Sequence, residues 1–393
     1  MNVTVTALGA VIALVIAITL IIKKVHPAYG LILGALIGGL VGGAGLTGTV
    51  NLMMDGAKNM MPAILRILTA GVLAGVLIES GAAAKIAETI VEKIGESRAL
   101  IALAIAHKSG LSKPAILLAM VGGGKAGNIM SPNPNTIAAA DNLGVSLTNV
   151  MIAGIVPAIF GVIITCILAS RIKQKGSLVE SDEHMKELTD MPGFLPAMVG
   201  PLVAIILLML RPIAGIAIDP LIALPVGGIC GILAMGKIKH INKYATYGLA
   251  KMSGVAILLI GTGTLAGIIA NSGLKDVIIS GINALGLPSF MLAPVSGILM
   301  SAATASTTSG TAVATSVFGP TIVQLGVAPL ATAAMIHAGA TVLDHLPHGS
   351  FFHATGGSVS MDMKERLKLI PYESLVGLTM TIVSTIIFGI ILK

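Results

Sequence analysis

Long apolar runs alternate with short polar segments over the whole chain. In the first half the runs lie near residues 4–22, 27–46, 62–81, 111–130 and 150–170. Each run approaches the roughly 20 residues that a helix needs to cross a hydrocarbon core of roughly 30 Å. The pattern therefore predicts an all-α polytopic membrane protein with about five spans in each half.

Composition points the same way and excludes several classes of protein. Of the 393 residues, 55% are hydrophobic and 10% are charged, whereas an ordinary soluble protein has roughly 25% charged residues. Cys166 and Cys230 both lie in apolar runs, which argues against a disulfide framework or a metal centre. We attribute the net charge of +7 to lysines in loops. We therefore expect contact with a lipid bilayer and no nucleic-acid partner, metal or cofactor.

Two blocks of the first half recur in the second half in the same order. LAGVLIESG at 73–81 matches LAGIIANSG at 265–273. Three further positions recur 215 residues later, namely Pro114 as Pro329, Gly124 as Gly339 and Pro132 as Pro347. Self-similarity of this kind predicts an internal duplication. We predict a first repeat at 1–170, a cytoplasmic linker at 171–193 and a second repeat at 194–393.

Basic residues predict that the two repeats have opposite orientations in the membrane. Lys23 and Lys24 follow the first span of the first half, whereas the basic loop of the second half follows its second span. Cytoplasmic loops are enriched in Lys and Arg, so this shift predicts inverted-topology repeats, which are typical of secondary transporters. The remaining assignments place the 47–61 loop with Lys58 outside, and the segments with Lys237, Lys239, Lys243 and Lys251 and with Lys364, Arg366 and Lys368 inside.

The second half contains 24 residues that the first half lacks. Gly95 and Pro114 are 19 positions apart, whereas the equivalent Gly286 and Pro329 are 43 positions apart. The added residues lie around 297–326, which is apolar at both ends and rich in Ser, Thr and Gly between them. This segment predicts a re-entrant hairpin, because irregular backbone at membrane depth is tolerated only inside protein or beside water. The predicted tip carries candidate substrate-binding side chains, namely Ser306, Thr308, Ser309 and Thr311.

A polar segment, KAGNIMSPNPNTIAAADNLG at 125–144, interrupts the apolar pattern of the first half. Pro132 and Pro134 should stop the helix that begins near Leu111, and the free N–H groups of the next helix can hold a carboxylate. Lys125 is the candidate counter-charge, and the candidate hydrogen-bonding side chains are Asn128, Ser131, Asn133, Asn135 and Thr136. An external turn, and a lysine that reaches the membrane interface, are the alternatives.

The equivalent segment of the second half, HAGATVLDHLPHGSFFH at 337–353, is rich in ionisable residues. Ionisable groups in a membrane segment are costly and indicate function. Asp344 and His345 are the candidates for proton coupling, because histidine titrates near physiological pH, and His337 is a candidate substrate ligand. An interfacial loop with solvated histidines is the alternative, and the spacing of these histidines matches no structural zinc pattern.

Three segments carry a family resemblance: LAGVLIESG…KIAETIVEKIG, SGTAVATSVFGP and IHAGATVLDHLPHGSFFHATGG. In order and character they resemble the gluconate permease (GntP-type) family, within the wider group of elevator-type ion transporters. The resemblance implies proton-coupled symport of a hydroxy-carboxylate such as gluconate, in the inner membrane of a bacterium, by a homodimer. It also implies binding at hairpin tips and broken helices, which fall here at 131–136, 306–311 and 337–348.

The first half departs from the family pattern, because RALIALAIA at 98–106 runs directly into HKSGLSKP without a re-entrant segment. We therefore predict one hairpin in the second half and none in the first. The alternatives to a proton-coupled symporter are a sodium-coupled carboxylate carrier, since unwound carbonyls also suit Na⁺, and a deletion form that does not transport. An intramembrane enzyme is disfavoured, because neither H-E-x-x-H nor G-x-S-x-G occurs.

Overall fold

The computed structural model describes residues 4–94, 112–172, 175–177, 191–286, 288–347, 349–359 and 361–392, and these are almost entirely helical. The first half contains α1 (Ala7–Ile22), α2 (Pro27–Val41), α3 (Gly45–Asn59), α4 (Met61–Glu79), α5 (Ala82–Ile94), α6 (Lys113–Met130), α7 (Pro134–Asn142) and α8 (Leu147–Ile172). The second half begins with α9 (Phe194–Ala214), α10 (Pro220–Ala234), α11 (Ile241–Ala270) and α12 (Leu274–Leu285). It continues with α13 (Leu292–Thr304), α14 (Thr307–Val317), α15 (Gly319–Gln324), α16 (Pro329–Gly339), α17 (Ser350–Ser358), α18 (Met363–Lys368) and α19 (Ile370–Thr385).

Five helical stretches of the described chain are long and apolar enough to cross a membrane. They are Met61–Glu79, Leu147–Ile172, Phe194–Arg211, Ile238–Ala270 and Met363–Ile391. Shorter apolar helices include α1, α2 and α10, and large aliphatic side chains are exposed on many of these helices. The prediction of an all-α polytopic membrane protein is confirmed, and the spans predicted from the first half correspond to α1, α2, α4, α6 and α8.

Two predicted loops are helical instead. The 47–61 loop is mostly α3, in which Lys58 forms an exposed ion pair with Asp55 at 3.1 Å. Lys243 and Lys251 lie within α11, where each ammonium group is close to a tyrosine ring. Both segments mix polar and apolar residues at helical spacing, so a search for uniformly apolar runs misses them.

The long helix α11 packs against both α3 and α4 through glycines. Gly248 lies against Gly71 of α4, and further along α11 Gly263 lies against Gly56 of α3. The backbones are so close that a Cβ atom on either member of these pairs would collide with a carbonyl oxygen. Because the residue numbers rise in one partner as they fall in the other, α11 runs antiparallel to α3 and α4. The matching sequence blocks lie in α4 and α11, so equivalent helices of the two halves point in opposite directions.

The first two helices of each half form a similar pair. Gly9 of α1 meets Gly42 at the end of α2, and Gly200 of α9 meets Gly231 of α10. Small residues at these crossings permit the close helix packing that is common in membrane proteins. The repeat boundaries themselves stay a prediction, because residues 173–174 and 178–190 of the linker lie outside the described chain.

A helical hairpin occupies the position predicted for a re-entrant segment. Helices α13 and α14 are joined by only two residues, Ala305 and Ser306, and Ala305 has φ of 45°. The hairpin tip packs closely against Gly349, where a Cβ atom would meet both the Cβ and the carbonyl oxygen of Ala305. The prediction that the first half has no hairpin falls largely on residues 95–111, which lie outside the described chain.

Each half also contains an interrupted helix. In the first half α6 ends at Met130 and α7 begins at Pro134, so the prolines end the helix as predicted. In the second half α16 ends at Gly339 and α17 begins at Ser350. The irregular segments between these pairs of helices lie near the hairpin tip and position the candidate site.

Candidate functional site

The interruption between α6 and α7 satisfies its own polar groups. The Asn133 side chain accepts hydrogen bonds from the backbone N–H groups of Asn135 (2.9 Å) and Thr136 (3.4 Å), so it caps α7. Its amide nitrogen donates to the carbonyl oxygens of Asn128 and Ser131. The Thr136 hydroxyl donates to the same two carbonyls, at 3.2 and 2.6 Å. Several side chains predicted to bind substrate therefore hold the break in shape.

Helices α7 and α14 lie side by side and run parallel. Asn135 accepts a hydrogen bond from Thr308 near their N-termini, and Asn142 donates to Thr315 at 2.8 Å near their other ends. Both helices begin at a side-chain cap, Asn133 for α7 and Ser306 for α14. Two adjacent helix N-termini place positive partial charge at one point, and such ends are favourable anion sites.

A buried lysine and aspartate lie beside these helix ends. Lys125 and Asp344 are 2% and 3% exposed, and they form an ion pair that joins α6 to the segment after α16. The Lys125 ammonium also donates to the carbonyl oxygen of Thr341 and lies 3.1 Å from Nδ1 of His345. The second carboxylate oxygen of Asp344 accepts from the hydroxyl of Thr307 at 2.5 Å. The ion pair thus connects both interrupted helices to the hairpin.

The ionisable chain continues through two residues that sequence reasoning did not select. Nδ1 of fully buried His345 is 3.0 Å from Asp344 Oδ1 and 3.9 Å from Oε2 of Glu373. Glu373 in turn pairs with Arg366 through both carboxylate oxygens, at 2.6 and 3.1 Å. Arg366 was predicted to be a cytoplasmic loop residue, but it is 1% exposed and stacks on the ring of Phe352 at 4.4 Å. The seven-residue spacing of Arg366 and Glu373, at the start of an apolar run, was the available signal.

Arg66 is a further charged residue that sequence reasoning missed. It lies within the membrane-spanning helix α4, pairs with Asp141 of α7 and donates to both carboxylate oxygens of Asp219, at 3.0 and 2.6 Å. Asp219 caps the N-terminus of α10. The guanidinium group therefore links α4 and α10 to the interrupted helix of the candidate site.

Solvent-accessible cavities lie at the two ends of the α7–α14 pair. At the hairpin tip, a cavity of about 540 Å³ is lined by residues that include Ser306, Ser309 and Lys24. At the other end, a cavity of about 410 Å³ is lined by residues that include Asn142 and Asp55. The site lies at the hairpin-tip end of the pair, beside the first of these cavities.

Of the remaining predicted residues, Thr311 and His337 are buried. Thr311 lies on the same face of α14 as Thr308 and Thr315, and its hydroxyl finds no partner among the described residues. His337 is 1% exposed within α16, and its Nε2 also lacks a described partner. His353 is exposed and contacts the Pro347 carbonyl at 2.8 Å, while His348 lies outside the described residues. Within the described residues, no three His, Cys, Asp or Glu side chains converge as metal ligands would.

Helical spans, interrupted helices, a hairpin and a buried charged centre beside a cavity define a membrane transporter. A family model described as GntP family permease matches residues 1–107. A transporter of Haemophilus influenzae is 62% identical over an alignment that covers 98% of this chain and 99% of the relative. The chain therefore belongs to the GntP-type permease family that its sequence resembled.

Two further similarities concern the second half and the fold. A model described as Na⁺-H⁺ antiporter family matches residues 195–285. The crystal structure of the YdaH transporter of Alcanivorax borkumensis, whose topology is described as unusual, has a TM-score of 0.62 and 16% sequence identity to this chain. The match covers 89% of this chain and 90% of YdaH. At this identity the likeness shows a shared fold.

The Haemophilus relative is longer than this chain within the aligned region. The alignment extends over 414 residues, whereas the whole chain has 393. The relative therefore contains residues that this chain lacks.

Proposed function

We propose that this transporter carries a small hydroxy-carboxylate such as gluconate together with protons, by alternating access, in the inner membrane of a bacterium. It acts as a carrier and not as an enzyme, and elevator-type relatives suggest that it works as a homodimer. The observation that carries the proposal is the meeting of two parallel helix N-termini with the buried Lys125–Asp344 pair. An anion can be held there by the positive partial charge of the two helix ends, by hydroxyl groups and by an ammonium group.

The predicted residues have different roles in this proposal. Lys125 and the N-termini of α7 and α14 attract the substrate carboxylate. Asn135, Thr308, Ser309 and Thr311 are the candidates that read its hydroxyl groups, with His337 nearby. Ser131, Asn133 and Thr136 position the α7 N-terminus, because their side chains are already hydrogen-bonded within the interruption. Asn133 and Thr136 bond to backbone groups, and the Ser131 hydroxyl accepts from the side-chain amide of Asn133. Asp344 and His345 carry the coupling proton.

Sodium coupling is a second candidate, favoured by the antiporter-family match at residues 195–285. Carbonyl and hydroxyl oxygens at interrupted helices can coordinate Na⁺. A direct comparison of ion gradients distinguishes the two candidates, since both would carry the same organic anion.

A form of the family that does not transport is a third candidate. The longer Haemophilus relative favours it. One face of α6 does so too, because a Cβ atom at Gly123, Gly124 or Gly127 would meet no described atom outside its own helix backbone within 4 Å. A hairpin equivalent to α13–α14 would be expected to cover that face. If the missing residues are essential, purified protein will bind or carry no organic anion.

The test is uptake of [¹⁴C]gluconate into proteoliposomes that contain the purified protein. We expect accumulation when the outside is more acidic than the inside, and none when only a sodium gradient is imposed. Accumulation that follows the sodium gradient and ignores pH would establish the second candidate. Absence of uptake, and of thermal stabilisation by any hydroxy acid in a screen, would favour the third.

A further inference from the structure

We propose that a proton and the Lys125 ammonium compete for Asp344, so that protonation of His345 releases Lys125 to bind the substrate carboxylate. Glu373 acts as the positioning residue that stabilises the protonated ring. This inference rests on the proposed function and names the device that would couple the proton to the anion.

The hydrogen-bond partners of His345 define where its protons lie. Nε2 is 3.1 Å from the carbonyl oxygen of Ile370 and 3.2 Å from the hydroxyl of Ser374. A carbonyl oxygen only accepts, so Nε2 carries a hydrogen. In the neutral ring Nδ1 is then an acceptor, and the added proton of the imidazolium form must bind there.

The Lys125 ammonium already donates to the two acceptors that the added proton would join, His345 Nδ1 and Asp344 Oδ1. Its three N–H donors match three acceptors: the Thr341 carbonyl, Asp344 Oδ1 and His345 Nδ1. Asp344 Oδ1 and His345 Nδ1 are 3.0 Å apart, and two acceptors at that distance repel unless a donor lies between them. In the unprotonated state the donor is Lys125; in the protonated state it is the N–H of His345 itself.

Protonation therefore breaks the lysine contact. Once Nδ1 carries a proton, it can donate to Asp344 and can no longer accept from Lys125. Two neighbouring cations also repel one another, and the buried ammonium then needs a new anionic partner. A substrate carboxylate at the α7 and α14 N-termini supplies it.

Glu373 makes the imidazolium form accessible inside the protein. Its carboxylate is 3.9 Å from Nδ1 of His345, the same ring nitrogen that contacts Lys125 and Asp344. The other charged groups of this centre are Lys125 from α6, Asp344 from the same segment as the ring, and Arg366 from α18, which acts through Glu373. A carboxylate at this distance attracts the charged ring and not the neutral one.

Charge neutrality predicts the stoichiometry. With His345 neutral, the positive charges of Lys125 and Arg366 balance the negative charges of Asp344 and Glu373. Adding one proton and one monocarboxylate together keeps this balance, so transport should be electroneutral with one proton per carboxylate. A pH gradient should then drive uptake, and a membrane potential alone should not.

The test compares wild type with Glu373→Gln in the exchange of labelled for unlabelled gluconate across proteoliposomes at equal pH on both sides. We expect the variant to lose at least about tenfold in rate near pH 7.5 but to regain the wild-type rate near pH 5, since more acid offsets the missing carboxylate. Rates that are unchanged, or reduced equally at every pH, would overturn the proposal. Glu365→Gln is the matched control, because Glu365 is only half-buried and accepts hydrogen bonds from Ser177 instead.

Two further measurements keep the outcomes distinct. The double variant R366Q/E373Q removes both charges of the pair. It replaces Glu373→Gln in the exchange assay if the single variant, which leaves Arg366 buried without its carboxylate, does not fold.

¹⁵N NMR of labelled histidine, assigned with His345→Gln, measures the protonation of the His345 ring without any transport. We expect the imidazolium fraction near pH 6 to rise in Lys125→Met and fall in Glu373→Gln. A hydrogen on Nδ1 instead of Nε2 in the neutral ring, or no response to either substitution, would contradict the device. Failure of wild type to carry gluconate, with these NMR responses intact, would count against the proposed function alone.

Discussion

At the scale of single residues, polar side chains of the interrupted helices serve the backbone before they can serve a substrate. Asn133 was selected from sequence as a ligand for hydroxyl groups, yet it caps α7 and donates to the carbonyl oxygens at the end of α6. A helix end at membrane depth leaves N–H and C=O groups that water cannot satisfy. Sequence reasoning could find these residues but could not tell positioning from binding.

Removing the cap should destabilise the protein and leave substrate recognition in place. We expect Asn133→Ala to lower the free energy of unfolding by about 1–2 kcal/mol, because the α7 N–H groups lose their acceptor. Thermal unfolding in detergent provides the measurement. Asn149→Ala is the matched control, since Asn149 is exposed and the cap there comes from Ser146. Equal stability of both variants would contradict a capping role for Asn133.

The Lys125–Asp344 pair gives a sharper prediction at this scale. Lys125→Met or Asp344→Asn alone leaves an uncompensated buried charge, which we expect to cost about 3–5 kcal/mol of stability. The double variant should be more stable than either single variant but should not accumulate gluconate. A double-mutant cycle of unfolding measurements tests this. Additive effects, as expected for the exposed Lys58–Asp55 pair, would show that the buried pair does not form.

At the scale of helices, the fold depends on close crossings that glycine permits. Gly248 of α11 meets Gly71 of α4 backbone to backbone. We expect Gly248→Ala to lower stability by about 1–3 kcal/mol or to prevent folding, because the helices must move apart. Gly254→Ala is the control, since no described atom lies within 4 Å of a Cβ built there. A thermal unfolding midpoint that falls equally in both variants would contradict this role of the crossing.

Sequence patterns predicted helices best where one physical signal was strong. Uniform apolar runs predicted the main spans, Pro132 and Pro134 predicted the first interruption, and the added segment predicted the hairpin. Helix α3 was missed because it is amphipathic and half polar. Glu373 and Arg366 pair with each other seven residues apart, but only tertiary packing places Glu373 beside His345, which local sequence cannot show.

At the scale of the whole molecule, the transporter shares its fold with YdaH. Its equivalent helices α4 and α11 run antiparallel, so the two halves have opposite orientations. Arg66 connects α4 and α10 to α7, and cavities lie at both ends of the α7–α14 pair. Alternating access would open one cavity to the site and close the other. The shorter length relative to the Haemophilus protein makes a direct test of transport necessary.

The most direct measurement of the central claim is proton movement driven by substrate. Proteoliposomes that contain the protein and an internal pH-sensitive dye are mixed with gluconate, with the membrane potential clamped at zero. We expect internal acidification with wild type and Glu365→Gln, and none with Asp344→Asn. Entry of gluconate without acidification, or acidification that persists in Asp344→Asn, would contradict the account.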